Sequence, residues 1–211
     1  MRATGLGRPQ AGSYNAADAE QGRFAMLYGQ VHLTLPPWVH QAIDPNTVCA
    51  TPEARMALAI ELARLNVDRR TGGPFGAAVF NGDGRLVSIG VNRVVPSNCS
   101  VAHAEMMAFM TAQQRLQRYR LNEDGHRFVL ATSAQPCCQC YGASFWAGID
   151  ALEIGARADD VHELTEFDEG PLPADWIGEL QRRGIAVLRD VARDAARAVL
   201  AGYRDLGGSA Y

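Results

Sequence analysis

Four residues of this chain have the types and the spacing of a hydrolytic metal site. His103 stands two residues before Glu105, and Cys137 stands three residues before Cys140. Imidazole nitrogen and thiolate sulfur are ligands that zinc prefers, and a catalytic zinc takes three ligands from the protein and leaves the fourth position to water. His103, Cys137 and Cys140 therefore predict one zinc ion per chain, with no organic cofactor.

The proline before the cysteines indicates how their side chains are presented. Pro136 suits the beginning of a helix, where residues three apart lie on one face. Zinc lowers the pKa of a bound water toward neutrality. Glu105 follows His103 closely enough to take up that water's proton and to pass it to a departing amine. The pattern predicts a hydrolysis in which Glu105 carries protons.

Two other interpretations of the cysteine pair are a redox dithiol and a structural zinc module. A closed structural site needs a fourth protein ligand, and Glu105 would then have no role. A disulfide scaffold is disfavoured because the chain has five cysteines, three of them within four positions. Metal binding or redox chemistry in a reducing compartment fits this cysteine usage better.

The elements that must position these residues alternate between strand and helix patterns. We predict strands at Ala77–Phe80, Leu86–Val91, Phe128–Thr132, Ala151–Ile154 and Ile185–Leu188, and helices at Pro52–Asn66 (capped by Thr51), Ala102–Leu116, Cys137–Ala147, Ala174–Arg183 and Val191–Tyr203. Because a helix separates the fourth and fifth strands, we expect those two strands to be parallel. The pattern predicts an α/β fold, a three-layer α/β/α domain with a five-stranded mixed sheet.

The length of 211 residues suits one domain. We expect residues 1–30 to be a disordered extension, with Met26 as an alternative start, and residues 31–211 to form a single domain. The lack of a long apolar run or a signal peptide predicts a cytoplasmic protein with no membrane partner. The net charge of −3 disfavours a nucleic-acid partner, because nucleic-acid-binding surfaces carry an excess of Arg and Lys.

The two motifs together form the H-x-E…P-C-x-x-C signature of the zinc deaminases, and the chain resembles the cytidine deaminase superfamily. This resemblance implies a cytidine-deaminase-like fold and the hydrolytic loss of ammonia from an aminated heterocycle. From about Pro52 onward the chain is similar to the guanine deaminase branch, especially to members that also accept ammeline. The similar segments are 72–79, 91–93, 132–137, 146–149, 167–171, Trp176 and 183–185.

The branch resemblance implies a hydrolase of purine metabolism that converts guanine and water to xanthine and ammonia. It implies that Asn92 faces the purine, and that Asp168 or Glu169 reads the N1/N2 edge or moves protons; we favour Glu169. The N1–H and the 2-amino group of guanine are both donors, so a carboxylate acceptor suits them. The resemblance further implies a homodimer in which the C-terminal aromatic, Tyr211, closes a site, often from a swapped tail.

Three more residues complete the predicted substrate site. Phe75 and Trp146 are candidates for stacking on the ring, although both could be ordinary core aromatics. Ala104, between the metal ligand and the proton carrier, is the third.

Two positions depart from the branch pattern, since Gln135 stands where Glu is common and Gln139 where Met is common. Both lie beside the expected pocket, so the substrate is less firmly predicted than the reaction. Ammeline, guanosine, cytosine and cytidine are alternative substrates, and a tRNA adenosine deaminase is a less favoured alternative.

Overall fold

Five strands form one mixed sheet in the computed structural model, which describes residues 29–208 and 210. The strands are β1 (Gly76–Asn81), β2 (Leu86–Val91), β3 (Phe128–Ala134), β4 (Ala151–Ala156) and β5 (Ala186–Leu188), in the spatial order β2-β1-β3-β4-β5. β1 is antiparallel to β2 and β3, whereas β3, β4 and β5 run parallel. The predicted five-stranded mixed sheet, with its last two strands parallel, is confirmed.

Helices cover both faces of this sheet. In the described part of the chain they are α1 (Val39–Ala42), α2 (Pro52–Asp68), α3 (Val94–Ser97), α4 (Ala104–Leu116), α5 (Cys138–Ala147), α6 (Ala158–Leu164), α7 (Trp176–Arg182) and α8 (Arg193–Asp205). α2 and α8 pack on one face, and α4, α5 and α7 pack on the other. The three-layer α/β/α arrangement is confirmed.

Helices α1, α3 and α6 have no counterpart in the sequence prediction. They span four to seven residues, too few for an apolar repeat of 3.6 residues to be recognised. The remaining helices lie where the pattern predicts them, with ends displaced by about two residues, as is usual for such boundaries.

The beginning of α2 follows directly from its sequence. Thr51 caps the helix, its side chain accepting a hydrogen bond from the Ala54 N–H at 3.2 Å, and Pro52 occupies the first turn. The buried side chains of α2 recur every three or four residues, which places them on one face: Met56, Ala59, Leu62, Ala63, Asn66 and Val67. One polar side chain, that of Asn66, is therefore held inside the core.

Close approach of helix and sheet positions the metal-site helix α4. A Cβ atom at Gly90 of β2 would lie 1.9 Å from the Ala104 carbonyl oxygen and 2.5 Å from the Ala108 nitrogen. Only glycine leaves room for this contact. The first turn of α4, which carries Glu105, is thereby seated directly on β2.

A segment that precedes α2, the N-terminal arm (residues 33–49), packs against the face of the sheet that α2 covers. Trp38, Val39 and Cys49 are buried there with Phe80 and Val91. The described residues from Leu33 onward form one compact unit. The predicted disorder of residues 1–30 concerns a segment that, up to residue 28, lies outside the described residues.

In the described residues, no helix is both long and apolar enough to cross a membrane.

Candidate metal centre and active site

Several residues that the sequence predicts for the site lie at one edge of the sheet, the edge formed by the ends of its strands. β1 begins at this edge and β2 and β3 end there, because β1 is antiparallel to both neighbours. Phe75 therefore precedes β1, Asn92 follows β2, and Gln135 follows β3. The Asn92 N–H donates to the Phe75 carbonyl at 3.1 Å. The topology thus brings three residues together that are up to 60 positions apart in the chain.

Two helix beginnings bring the predicted metal ligands to the same edge. His103 is the residue before α4 and Cys137 the residue before α5, while Cys140 lies in the first turn of α5. The ligating atoms of the three side chains lie within 4.8 Å of one another. Within residues 29–208 and 210, no other group of His, Cys, Asp or Glu side chains is placed to hold a metal ion.

The spacing of these ligand atoms suits zinc. The Cys137 Sγ lies 3.4 Å from the His103 Nδ1. Zinc–sulfur and zinc–nitrogen bonds in a tetrahedral site place two such atoms about 3.5 Å apart. The donor set of one imidazole and two thiols is also the one expected for zinc, so the residues present fit the metal.

The electrostatics of the cysteines favour a thiolate at Cys137. A hydrogen bond from Cys140 and another from His103 lower the pKa of Cys137 to about 4, against the opposing effect of burial. Zinc binds the thiolate form of cysteine, so this thiol is prepared for ligation. Cys138, between them, is exposed.

Two glutamates lie near the ligands without a cationic side chain to pair with. Glu105 is buried, and burial together with the nearby Cys137 raises the pKa of its carboxyl. Burial, followed by the charges of Cys137 and Glu105, raises the pKa of Glu169 to about 8. Thr132, on β3, donates a hydrogen bond of 3.3 Å to Glu105 Oε1. The raised pKa of both carboxyls favours roles for them in proton transfer.

A small cavity of about 80 Å³ opens between these residues. Its lining combines metal ligands, carboxyls, amides and aromatic rings: Phe75, Asn92, His103, Glu105, Gln135, Cys137, Phe167, Asp168 and Glu169. This volume is well below the range typical of drug-sized ligands. The cavity suits a small planar molecule rather than a long chain.

The amide of Asn92 has a defined orientation in this cavity. Its Oδ1 accepts hydrogen bonds from the backbone N–H of Gly73 at 3.4 Å and of Val94 at 3.3 Å. Because an amide oxygen accepts and an amide nitrogen donates, these contacts turn the Nδ2 group toward the cavity. Asn92 therefore offers a donor there.

Asp168 and Glu169 differ in how they are held. The Asp168 Oδ1 accepts a hydrogen bond from the Gly170 N–H at 2.9 Å, which closes a turn of its own loop. Glu169 is anchored by its backbone, its carbonyl accepting from the Cys138 N–H at 2.9 Å. No hydrogen bond from another described residue reaches the Glu169 carboxyl, so it is available to a ligand.

Three predicted substrate contacts are not among the described residues that line the cavity. Trp146 is on the outward side of α5 and 73% exposed, so the single chain does not place it in the cavity. A position nine residues after Cys137 lies on another face of the helix, and the stacking role of Trp146 stays a prediction. Ala104 is fully buried in the core and does not line the cavity. Tyr211 lies outside the described residues.

Two cavity residues received no role in the sequence prediction. The Phe167 ring packs edge-on against Phe75, with 5.0 Å between ring centroids. Gln135 is buried, and its side chain faces the cavity without a hydrogen bond from another described residue. The signals were present, since Phe167 begins the acidic loop segment and Gln135 immediately precedes Pro136.

Comparisons with known proteins agree with this geometry. The sequence profile of the family described as "Cytidine and deoxycytidylate deaminase zinc-binding region" matches residues 50–156. The chain is 37% identical to the guanine deaminase of Bacillus subtilis (strain 168) over 117 residues, which cover 56% of this chain and 71% of that protein.

Solved structures are similar over a larger share of the chain. A guanine deaminase from Nitrosomonas europaea has a TM-score of 0.80 and 45% identity, covering 86% of this chain and 100% of that one. A crystal structure of a mutant of NE0047 in complex with 8-azaguanine has a TM-score of 0.80 and 46% identity, covering 84% of this chain and 98% of that one.

Proposed function

The chain belongs to the cytidine and deoxycytidylate deaminase zinc-binding family, and on that premise we propose that it is a zinc aminohydrolase that converts guanine to xanthine and ammonia. One observation carries the proposal most directly: three zinc-type ligands lie within 4.8 Å of one another, and two of them, His103 and Cys137, line a small cavity together with Glu105 and Glu169. Ligands, a proton carrier and a substrate space are the parts that a hydrolytic deamination requires.

The reaction divides between the metal and the side chains of this chain. His103, Cys137 and Cys140 would hold the zinc ion, a Lewis acid that would lower the pKa of water toward neutrality. Glu105 accepts a proton from the attacking water and delivers protons to the ring nitrogen and the departing amine. A carbon–oxygen bond forms at C2 of guanine, the bond from C2 to the amino nitrogen breaks, and ammonia leaves. Thr132 holds the Glu105 carboxyl for this transfer.

The polar groups of the cavity support guanine as the substrate. The Glu169 carboxyl provides acceptors for the N1–H and 2-amino donors of the base, and Asn92 Nδ2 provides a donor for the N7/O6 edge. Glu169 suits this role better than Asp168, whose carboxyl closes its own turn. The paired rings of Phe75 and Phe167 form an apolar wall that suits a flat heterocycle.

A panel of amines tests the substrate. Ammonia release is measured with guanine, ammeline, guanosine, cytosine, cytidine and adenine, using zinc-loaded protein. We expect the highest kcat/KM with guanine. Glu105→Gln protein purified in parallel is the control for a contaminating deaminase. Absence of guanine turnover beside a rapid reaction with another amine would contradict the substrate assignment while leaving the reaction type intact.

A tRNA substrate is less favoured, because the acidic net charge of −3 does not suit a polyanion. A synthetic adenosine stem-loop in the same assay separates this alternative from the free base.

We also propose that the protein is cytoplasmic and that two copies pair. The exposed Trp146 supports pairing, since a second copy could cover an aromatic side chain that the single chain leaves in water. A swapped tail that brings Tyr211 over a site rests on the family resemblance alone. Light scattering of the full chain and of Trp146→Ala tests the pairing: a monomeric wild type would contradict it.

A further inference from the structure

A chain of hydrogen bonds, which we call the arm relay, connects the N-terminal arm with the cavity. The Trp38 Nε1–H donates to Thr71 Oγ1 at 3.0 Å, and the Thr71 hydroxyl donates to Asn66 Oδ1 at 2.7 Å. The Asn66 Nδ2 group donates to the Asn92 carbonyl at 3.0 Å and to the Gly73 carbonyl at 2.9 Å. The relay thus ends on the backbone of the residue whose amide faces the cavity.

The hydrogen bonds of the arm relay all run in one direction, from the Trp38 N–H toward the Gly73 and Asn92 carbonyls. An indole N–H can only donate, so the Thr71 oxygen must accept from Trp38 and send its own proton to Asn66. Asn66 then presents its oxygen to Thr71 and both N–H groups to two carbonyls. The reverse orientation of the Asn66 amide would set an oxygen against two carbonyl oxygens. The two carbonyls therefore fix the orientation of the wholly buried Asn66 amide, and the hydrogen bonds of Trp38 and Thr71 reinforce it.

The far end of the relay sets the Asn92 side chain. Asn66 holds both Asn92 and Gly73 by their carbonyl oxygens, and the Gly73 N–H is one of the two donors that orient Asn92 Oδ1. A Cβ at Gly72 would lie 1.9 Å from the Asn92 carbonyl oxygen and 2.7 Å from Asn66 Nδ2. There is therefore no space for a side chain at residue 72 beside the arm relay.

A second connection holds the arm in place. Arg93, directly after Asn92, donates through Nε to the Thr34 carbonyl at 3.2 Å and through Nη1 to the Thr71 carbonyl. The Arg69 guanidinium lies over the Trp38 ring, 5.5 Å from its centroid. The N-terminal arm thus contacts Thr71 through Trp38 and Arg93 through Thr34. The arm itself precedes residues 50–156, which match the family profile.

We propose that Trp38 and Thr71 are positioning residues for Asn92. Through them, the N-terminal arm affects how tightly the N7/O6 edge of the substrate is bound. This proposal rests on the proposed function, since it takes guanine as the ligand. Removing the relay frees the Asn92 backbone and lets its amide rotate. The donor then meets the N7/O6 edge in only a fraction of the molecules, and binding weakens more than the chemical step does.

The test compares guanine with two analogues that each lack an acceptor of this edge: 7-deazaguanine lacks N7 alone, whereas 2-aminopurine lacks O6 and also the N1–H assigned to Glu169, so 7-deazaguanine is the cleaner probe. For Thr71→Val we expect about a tenfold rise in KM for guanine, with kcat changed less than about threefold. The preference for guanine over at least one analogue should fall by a similar factor. Thr71→Ser, which keeps the hydroxyl, should restore both values to within about twofold of the wild type.

Trp38→Phe keeps an aromatic ring and removes the indole N–H together with the five-membered ring, and we expect about a threefold fall in the same preference. Thr111→Val is the matched control, because Thr111 also buries a hydroxyl bond, to the Met107 carbonyl at 2.7 Å, away from the cavity. Its thermal stability should fall as in Thr71→Val, with the guanine preference unchanged. If Thr71→Val does not fold, Trp38→Phe decides the matter.

The outcomes separate the relay from the proposed function. A wild type that does not deaminate guanine contradicts the function itself. A wild type that prefers guanine, with the same preference in Thr71→Val and Trp38→Phe, overturns the relay alone. So does an equal loss of preference in Thr111→Val, and so does a wild type that does not discriminate against either analogue.

Discussion

Buried carboxyls occur in two regions of this chain, around the cavity and beneath α8. Around the cavity, Glu105 and Glu169 lie near thiols and each other, and their pKa values are raised. Beneath α8, Asp160 is equally withdrawn from water, yet hydrogen bonds from Arg193 hold the pKa of its carboxyl well below its usual range, with Arg197 and the Arg157 backbone contributing.

Burial raises the pKa of all three carboxyls, and the hydrogen-bond partners of Asp160 outweigh this effect. Asp160 accepts hydrogen bonds from Arg193 Nε and Nη2, both at 2.7 Å, and from the Arg157 N–H at 2.8 Å. Arg197 Nη1 also donates to this carboxyl. Among the described residues, no arginine donates to the side chain of Glu105 or Glu169. A paired carboxyl stabilises the fold, whereas an unpaired one is left able to exchange protons at some expense in stability.

Glu105→Gln tests the unpaired side of this comparison and should have the largest effect. We expect kcat to fall by about 10³-fold, equivalent to about 4 kcal/mol, because an amide cannot carry the proton. The free energy of unfolding should stay the same or rise, since a buried carboxyl with no ion-pair partner among the described residues has been removed. Turnover, zinc content and denaturant unfolding are measured together; a substantially active variant would refute the proton-carrier role.

Asp160→Asn tests the paired side and should show the opposite pattern. We expect the free energy of unfolding to fall by about 2–3 kcal/mol, less than for a fully buried pair because both arginines are partly exposed. kcat/KM should remain within about twofold of the wild type. Urea unfolding and turnover decide it. A stable variant would show that α8 is held by its apolar contacts alone.

Glu169→Gln sharpens the comparison within the cavity. The amide retains one acceptor but sets an N–H group toward the donors of the base, so we expect kcat/KM for guanine to fall about 30-fold, or about 2 kcal/mol. Unfolding should be unaffected, as for Glu105→Gln. Asp168→Asn, in the same loop, is the control and should lose much less activity. Equal losses in both variants would contradict the preference for Glu169.

The smallest effect concerns the pH dependence of stability. Because the folded-state pKa of Asp160 is depressed, its contribution is fully present above the unfolded value of about 3.9 and is lost as pH falls toward the folded value. The stability difference between the wild type and Asp160→Asn should therefore be constant above about pH 5 and shrink below about pH 4. Urea titrations from pH 7 to pH 3 measure it, and a difference that grows in acid would reverse the assigned sign.

Much of the fold followed from local patterns. The Thr51–Pro52 beginning of α2 and the strands β1 and β2 depend on neighbouring residues, and they lie where predicted. The short α6 could not be recognised from its own residues. It is capped by Asp160, which accepts from the Arg157 N–H, and held by arginines more than 30 positions later.

The sequence by itself predicted the chemistry from a histidine, a glutamate and two cysteines at spacings that each fit within one helical turn. Such spacings are set by local backbone geometry, so no distant contact was needed to predict them. The tertiary structure alone decided which candidate substrate-binding residues line the cavity. It places Asn92 and Phe167 in the cavity wall and Trp146 on the surface. It also decided that an arm outside the matched region would contact the residues behind Asn92. These placements depend on how strands and helices pack, which links positions far apart in the chain.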